Sequence, residues 1–547
     1  MIGISAAGPS IVVPALAGMT AWPPWQASLG LPGWILFVMW GVAVIAAAGV
    51  VSGLIAVARG ARPRIRPLLA ASFIAVATFA VLPPAGSTDA QSYAIDGSIV
   101  VLGHSPYVTT PAQMVRLGDR LAVGSPSTWQ KSLSDYGPLA TAEEWLSAEF
   151  GGWSMAAVTF WLKLWVEIAF VAVTLLLDRA LRSDPAMRVR AHLLWSLNPL
   201  VLWEIVASGH VDGLAVAFGL AGLLCISSGG AIRPYLFGGK IPRTTSPGGP
   251  IPPIPLLRTG GRPPVPPTEG EAPPIPVVTG QAPPISSAGT WPWAIPSIRP
   301  SLWRCAGAGA LIGLAADVKS PFLVFGLGAA WAVRRSPAAL ASLAAGAAVV
   351  LVPSYAAFGT PSLAVLFQRG QEVTWDNLYQ VIYRPILRVP FGVDSAPADL
   401  STIALVLFLA LSLLAFFRMP NRMPRFPAVT PALALSMGWI FLWPFQRPWY
   451  DVMLIALLAL YPASWLDWVI LGRLCFGAIT YFEATSASPA STLQHVQLFT
   501  GEWVTSSVRF LAVAVLVWMC VSRRWGFRSG DGELLLPGEP LSTALRS

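Results

Sequence analysis

The chain has 547 residues, of which 55% are hydrophobic and only 11% charged, whereas soluble domains carry about 25% charged residues. That deficit excludes an ordinary soluble domain and predicts an all-α polytopic membrane protein. The net charge of +9 does not call for a nucleic-acid partner, because the basic residues sit in short clusters between apolar runs, which is the positive-inside pattern.

No basic stretch precedes an apolar run at the N-terminus, so no cleavable signal peptide is expected. The first long apolar run, 34–57, ends at Arg59, Arg62, Arg64 and Arg66. These arginines place the link to the second run, 67–82, in the cytoplasm and the N-terminus outside. The next segment, 84–155, is polar, acidic and poor in basic residues, as an external loop should be. A helix near 156–177 returns to Arg179, Arg182, Arg188 and Arg190; 193–207 goes out and 214–226 comes back.

A proline-rich stretch follows, with Pro-Pro-Ile or Pro-Pro-Val at 252, 263, 273 and 283. Such a composition favours extended polyproline II and builds no core. The short runs 303–316 and 321–331 suggest a tilted or re-entrant pair turning at Lys319. Then 339–355 goes out to a second external loop (358–400), and 403–417 returns to Arg418, Arg422 and Arg425. A span at 432–443, two helices within 452–482 and a last span at 510–521 complete about 13 crossings. The 24 Trp and 24 Phe suit a protein with many helix ends at the bilayer interface. The expected organisation is an external segment (1–32), a first membrane part (33–232) with its external loop (84–155), a disordered cytoplasmic insertion (233–302), a second membrane part (303–522) and a cytoplasmic tail (523–547).

The chemistry concentrates in the first external loop. It reads Ser87-Thr88-Asp89-Ala90-Gln91-Ser92-Tyr93-Ala94-Ile95-Asp96-Gly97, then Gly103-His104-Ser105-Pro106-Tyr107, then Ser134-Asp135-Tyr136-Gly137-Pro138-Leu139. Asp89 stands ahead of an expected helix, 93–101, where a carboxylate either caps the helix or is held at the membrane surface as a general base. Asp96, seven residues on, shares a helical face with it. Within the spans, Lys163 and Glu167 are four apart and suit an ion pair on one helix face. Trp145, Trp153, Trp375 and Trp449 suit either sugar stacking or an interfacial belt. Cys225, Cys305, Cys475 and Cys520 lie far apart and read as small buried hydrophobes.

These motifs, in this order, resemble the GT-C glycosyltransferases, and most of all the polyprenol-phosphate-mannose-dependent α-1,6-mannosyltransferases of actinobacterial lipoglycan synthesis. Asn198-Pro199-Leu200 followed by Gly209-His210-Val211-Asp212, and the late run Gln446-Arg447-Pro448-Trp449-Tyr450, are similar to that family too, although Val211 stands where the family has Asn. The resemblance implies a GT-C architecture and inverting transfer of a sugar from a polyprenyl phosphate to an external glycan or lipoglycan acceptor. By position it makes Asp89 the catalytic base, with Asp96, Tyr93 and Tyr136 for the acceptor. The leaving phosphate needs cations at headgroup level, for which His210, Lys319, Arg384 and Arg447 are the candidates. Three have a plainer reading: Lys319 pairs with Asp317 or snorkels, Arg384 binds ordinary lipid phosphate, and His210 bonds to Asp212. No dense carboxylate cluster is present, so neither a metal nor a cofactor is expected. A donor using glucose or arabinose is the runner-up. A lipid-linked-glycan transporter would need inverted repeats with broken helices at the midplane, and no repeated pair of segments is found.

Overall fold

A computed structural model describes residues 1–17, 23–126, 129–227, 301–363, 374, 376–379, 381, 400–420, 425–481 and 491–525. The described part is helical, with one isolated bridge between Ser10 and Val13. After the short α1 (Ile2–Ala7) come α2 (Ile35–Ala58) and α3 (Ile65–Ala80), then α4 (Asp89–Val101), α5 (Pro111–Arg116) and α6 (Pro138–Gly151). Next are α7 (Met155–Ala180), α8 (Pro185–Leu194), α9 (Pro199–Ala207) and α10 (Asp212–Ser227). The second part holds α11 (Leu302–Val318), α12 (Leu323–Val333), α13 (Pro337–Phe358), α14 (Leu400–Arg418), α15 (Val429–Leu442), α16 (Asp451–Leu460), α17 (Trp465–Thr480), α18 (Ser491–Phe499) and α19 (Ser506–Ser522). Among the described residues five helices are long and apolar enough to cross a membrane, or six if the bent pair α9 and α10 is one span. Shorter apolar helices, among them α3 and α15, lie beside these. The chain is thus an all-α polytopic membrane protein.

The boundaries follow local chemistry. Ser154 accepts from the Ala157 amide ahead of α7, Asp184 from Met187 ahead of α8, and Ser336 from Ala339 ahead of α13. Each satisfies a helix N–H that would otherwise lack a partner. Pro185 and Pro337 open their helices, where a missing N–H costs nothing. Close packing uses small residues. A Cβ on Gly309 of α11 would sit 1.9 Å from the Leu343 carbonyl oxygen of α13, and one on Gly346 of α13 would sit 2.0 Å from that of Ala306. Only backbones stripped of side chains approach that closely, as membrane helix pairs commonly do.

Segment 84–155 folds into α4, α5 and α6; α4 packs against the other two, and α4 and α6 pack on α7. Two expectations need correction. The run 193–207 is not one helix. α8 stops at Leu194, because Pro199 forces the residue before it out of the helical region, and Asn198 then caps α9 by accepting from the Leu200 amide at 3.1 Å. Lys163 does not turn to Glu167. Its ammonium donates to the carbonyls of Phe79 (2.5 Å) and Leu82 (2.7 Å), closing the end of α3. The Phe79 carbonyl also accepts the Leu82 amide at 3.1 Å, so the buried cation adds to the turn that closes the helix. The proline-rich insertion lies outside the described residues.

Candidate active site

Segment 89–136 and the loop before α16 meet in a recess lined by Asp89, Ser92, Tyr93 and Asp96 from the former and Phe445, Arg447, Trp449 and Tyr450 from the latter. Trp129, Ser134, Asp135 and Tyr136 also line it. Positions 89, 92, 93 and 96 are i, i+3, i+4 and i+7, which is one face of α4. Helix formation from Asp89 onward therefore brings both candidate carboxylates to the same surface.

The N-cap of α4 is Thr88, and Asp89 is the first residue of the helix. Its Oδ2 accepts from the Tyr93 hydroxyl at 3.4 Å and lies 3.6 Å from His210 Nδ1. The Tyr93 hydroxyl is also 3.0 Å from that of Tyr136 and 3.3 Å from His210 Nδ1. Burial, followed by the neighbouring Tyr136 and Asp89, pushes the Tyr93 hydroxyl well above the ordinary phenol range, and burial does the same for Tyr136. Both therefore keep their protons. Burial first, then the nearby Lys319 and Arg447 cations, push His210 well below the ordinary histidine range, so its ring is neutral. One consistent assignment has Tyr136 donating to Tyr93, Tyr93 donating to Asp89, and the His210 Nδ1–H pointing at the same pair. Every proton then stabilises the Asp89 carboxylate.

Two glycines and one tyrosine fix this geometry. Gly137 donates its N–H to the Val318 carbonyl at 3.0 Å, and a Cβ there would lie 1.9 Å from the Asp317 carbonyl oxygen. The Tyr136-Gly137 step thus docks directly on the end of α11. Tyr107 donates to the Tyr136 carbonyl at 3.0 Å; the Gly-His-Ser-Pro-Tyr motif supplies an anchor, not a ligand. Gly209 has φ +76°, a conformation that favours glycine, and it turns the chain so that His210 follows α9 into the site. His210 stacks on Trp449, with ring centroids 3.7 Å apart.

The candidate cations separate cleanly. Arg447 lines the recess and is 8% exposed, with its guanidinium over the rings of Tyr481 (4.6 Å) and Phe445 (5.1 Å). Lys319, 6% exposed, is not a lining residue. It pairs with Asp212 at 3.0 and 3.1 Å, not with Asp317, and sits 4.0 Å over the Tyr450 ring. His210 is fully buried and neutral, so it backs the recess without offering charge. Arg384 and Trp375 lie outside the described residues. Trp145 and Trp153, 41% and 56% exposed, are not among the lining residues. Glu204 is buried in the last turn of α9 and does not line the recess. Asp135 lies in the quoted Tyr136 motif without a role assigned from the sequence, whereas nothing in the sequence marks Trp129. Among the described residues no group of three or more His, Cys, Asp or Glu is arranged to hold a metal.

The family model described as alpha-(1->6)-mannopyranosyltransferase, N-terminal domain (MptA_B family) matches residues 1–258. A probable alpha-(1->6)-mannopyranosyltransferase of Mycolicibacterium smegmatis is 28% identical over 145 residues, covering 26% of this chain and 25% of the relative. An alpha-(1->6)-mannopyranosyltransferase of Mycobacterium tuberculosis is 27% identical over 146 residues (26% and 24%), and alpha-(1->6)-mannopyranosyltransferase B of Corynebacterium glutamicum is 28% identical over 157 (27% and 25%). The matched stretch spans about a quarter of the length of these curated relatives. The resemblance read from the sequence motifs to actinobacterial α-1,6-mannosyltransferases is thereby shown.

Proposed function

We propose that the chain is a membrane mannosyltransferase of GT-C architecture, which moves mannose with inversion from a polyprenyl-phosphate donor to an external glycan or lipoglycan acceptor at the Asp89 recess. The observation that carries this reading is the meeting of Asp89, Asp96 and Arg447 in one aromatic-walled recess. The similarity to proteins named alpha-(1->6)-mannopyranosyltransferases supports mannose as the sugar.

Asp89 takes the proton from the acceptor hydroxyl as that oxygen attacks the anomeric carbon. The bond from that carbon to the phosphate oxygen breaks, and the electron pair leaves with the lipid phosphate. Arg447 offers a fork of N–H donors that suits phosphate oxygens and meets the charge that grows there. Asp96 accepts from acceptor hydroxyls, and Tyr93 and Tyr136 hold Asp89 and the acceptor in line. Lys319 and His210, which the sequence offered as phosphate ligands, become supports of the site: one neutralises Asp212, the other backs Asp89. An apolar cavity of about 580 Å³, lined by Ala316, Leu323, Leu351, Val352, Tyr355 and Leu363 among others, lies beside Lys319 on α11, α12 and α13 and suits the isoprenoid chain.

The test is transfer of radiolabelled sugar from purified polyprenyl-phosphate mannose, glucose and arabinose, offered one at a time to the full-length protein in lipid. Transfer from the mannose donor alone is expected. Transfer from another donor, with none from the mannose donor, overturns the choice of sugar; no transfer from any overturns the reading.

A further inference from the structure

Arg447 sits in a loop, 444–450, that has no regular structure of its own except the single turn Pro448–Tyr450. Two buried ion pairs bracket this loop. On its C-terminal side Asp451, the first residue of α16, accepts from Arg473 of α17 at 2.9 Å, with both side chains 1% exposed. On its N-terminal side the grip is indirect. Arg509 of α19 pairs with Asp376 at 2.7 Å, 2% and 0% exposed, and also donates to the Asp376 carbonyl at 2.9 Å. Asp376 belongs to the second external segment, and its neighbours bond to the chain that leads into Arg447. Asn377 donates to the carbonyls of Trp443 (3.1 Å) and Pro444. Thr374 donates to Pro444 through both its amide and its hydroxyl. The Tyr379 hydroxyl reaches the Leu442 carbonyl at 2.8 Å.

A buried ion pair adds little to stability, because desolvating both charges offsets their attraction; what such a pair does well is fix one arrangement over others. Here it fixes residues 376–379 and, beside them, Thr374, whose polar side chains satisfy three successive carbonyls, 442–444, where α15 has ended and no helical partner remains. We propose that Asp376 and Arg509 are positioning residues, which brace the 444–450 loop through Thr374 and residues 376–379 so that the Arg447 guanidinium faces the recess. This rests on the reading of Arg447 as the donor-phosphate ligand. Arg473 and Asp451 supply the matching brace on the other side, and the four charged groups sum to zero, so the loop is held without adding net charge behind the phosphate site.

The double variant Asp376→Asn with Arg509→Gln tests this in the full-length protein, since it removes both charges and leaves no lone buried ion to unfold the chain. Misplacing a ligand by about 1 Å costs up to roughly a hundredfold. The donor KM should therefore rise on the order of ten- to a hundredfold, with the acceptor KM unchanged, and amide exchange over 445–450 should speed up. Tyr379→Phe, which removes a single bond onto the same carbonyls, should show the same split to a smaller degree, and it carries the test if the double variant fails to insert. Wild-type exchange over 445–450, or equal changes in both KM values, overturns the brace. Arg447→Ala separates the two readings. A wild-type donor KM in that variant removes Arg447 as the phosphate ligand, while the exchange measurement still decides whether Asp376 and Arg509 hold the loop.

Discussion

Replacing Asp89 by Asn separates catalysis from structure because the two roles differ in size. Asp89 opens α4 but does not cap it; the N-cap is Thr88. Its structural value is then mainly the attraction of one buried carboxylate to a helix N-terminus, up to about 2 kcal/mol. The Asn side chain keeps the shape and retains an oxygen to accept from Tyr93, which lies 3.4 Å from Oδ2. A general base typically supplies about 10²–10⁴-fold in rate, which is roughly 2.7–5.5 kcal/mol of barrier. The larger effect therefore belongs to chemistry. Asp89→Asn should insert normally, melt within a few degrees of wild type, bind donor with unchanged affinity and lose turnover by about a hundredfold or more. The assay is single-turnover transfer of labelled mannose with donor and acceptor saturating, beside a thermal melt of the same preparation. Turnover near the wild-type value would remove Asp89 as the base and pass the role to Asp96, the other carboxylate on the same face of α4.

Three other outcomes follow from the geometry. Tyr93→Phe removes the hydroxyl shared by Asp89, Tyr136 and His210, and at about 1 kcal/mol per lost hydrogen bond kcat should fall roughly five- to tenfold with KM values little changed; a wild-type kcat refutes the network as an aligning device. Glu143 and Glu144 of α6 are held well above the ordinary carboxyl range, in both cases mainly by burial. Because the folded state keeps those protons while the unfolded state loses them, stability should drop as pH rises from about 4.5 toward the folded-state values, by up to about 1.4 kcal/mol per unit and per group. Glu143→Gln should flatten that slope in melts taken between pH 5 and 8, and an unchanged slope would show that the carboxyl is ionised. A cysteine at Val123, 70% exposed, in a cysteine-free background, should react with a membrane-impermeant maleimide on intact cells; protection there until the cells are opened would place the recess on the cytoplasmic side.

The helices were legible where apolar runs are bounded by strong chemistry. The arginine cluster from Arg59 to Arg66 marks the link between α2 and α3, and the turn at Lys319 between α11 and α12 stands where two short apolar runs meet. α6 escaped because Pro138–Gly151 mixes Glu143, Glu144 and Glu149 with apolar residues, so hydropathy shows no run; its buried face is made for α4 and not for lipid. Asp89, Tyr93, Asp96, Tyr136 and Arg447 could be found because each sits in a motif. Their division of labour could not. Whether Lys319 meets a ligand or Asp212 is decided by packing between residues 107 apart in sequence, and the neutrality of His210 comes from burial plus two cations that no local pattern displays.

The break between α9 and α10 shows why such placement recurs. The two helices bend by 112° within four residues, and α9 ends in a π turn, Leu202–Ala207, an unusual geometry that is often found at functional sites. A bend between two apolar helices frees backbone groups at the helix ends, and where these are buried protein groups must answer them. Here they do: Ser208 donates to the carbonyls of Ala85 and Trp203, and the Ala85 amide donates to Ala207 at 3.0 Å. In return the break delivers His210 behind Asp89 and Asp212 against Lys319. A continuous helix would have turned successive residues 100° apart and could not have aimed both inward at the same depth. The sequence Ser208-Gly209-His210-Val211-Asp212 is thus a bend whose polar residues are spent on closing it and on backing Asp89, and Val211 within it is 1% exposed.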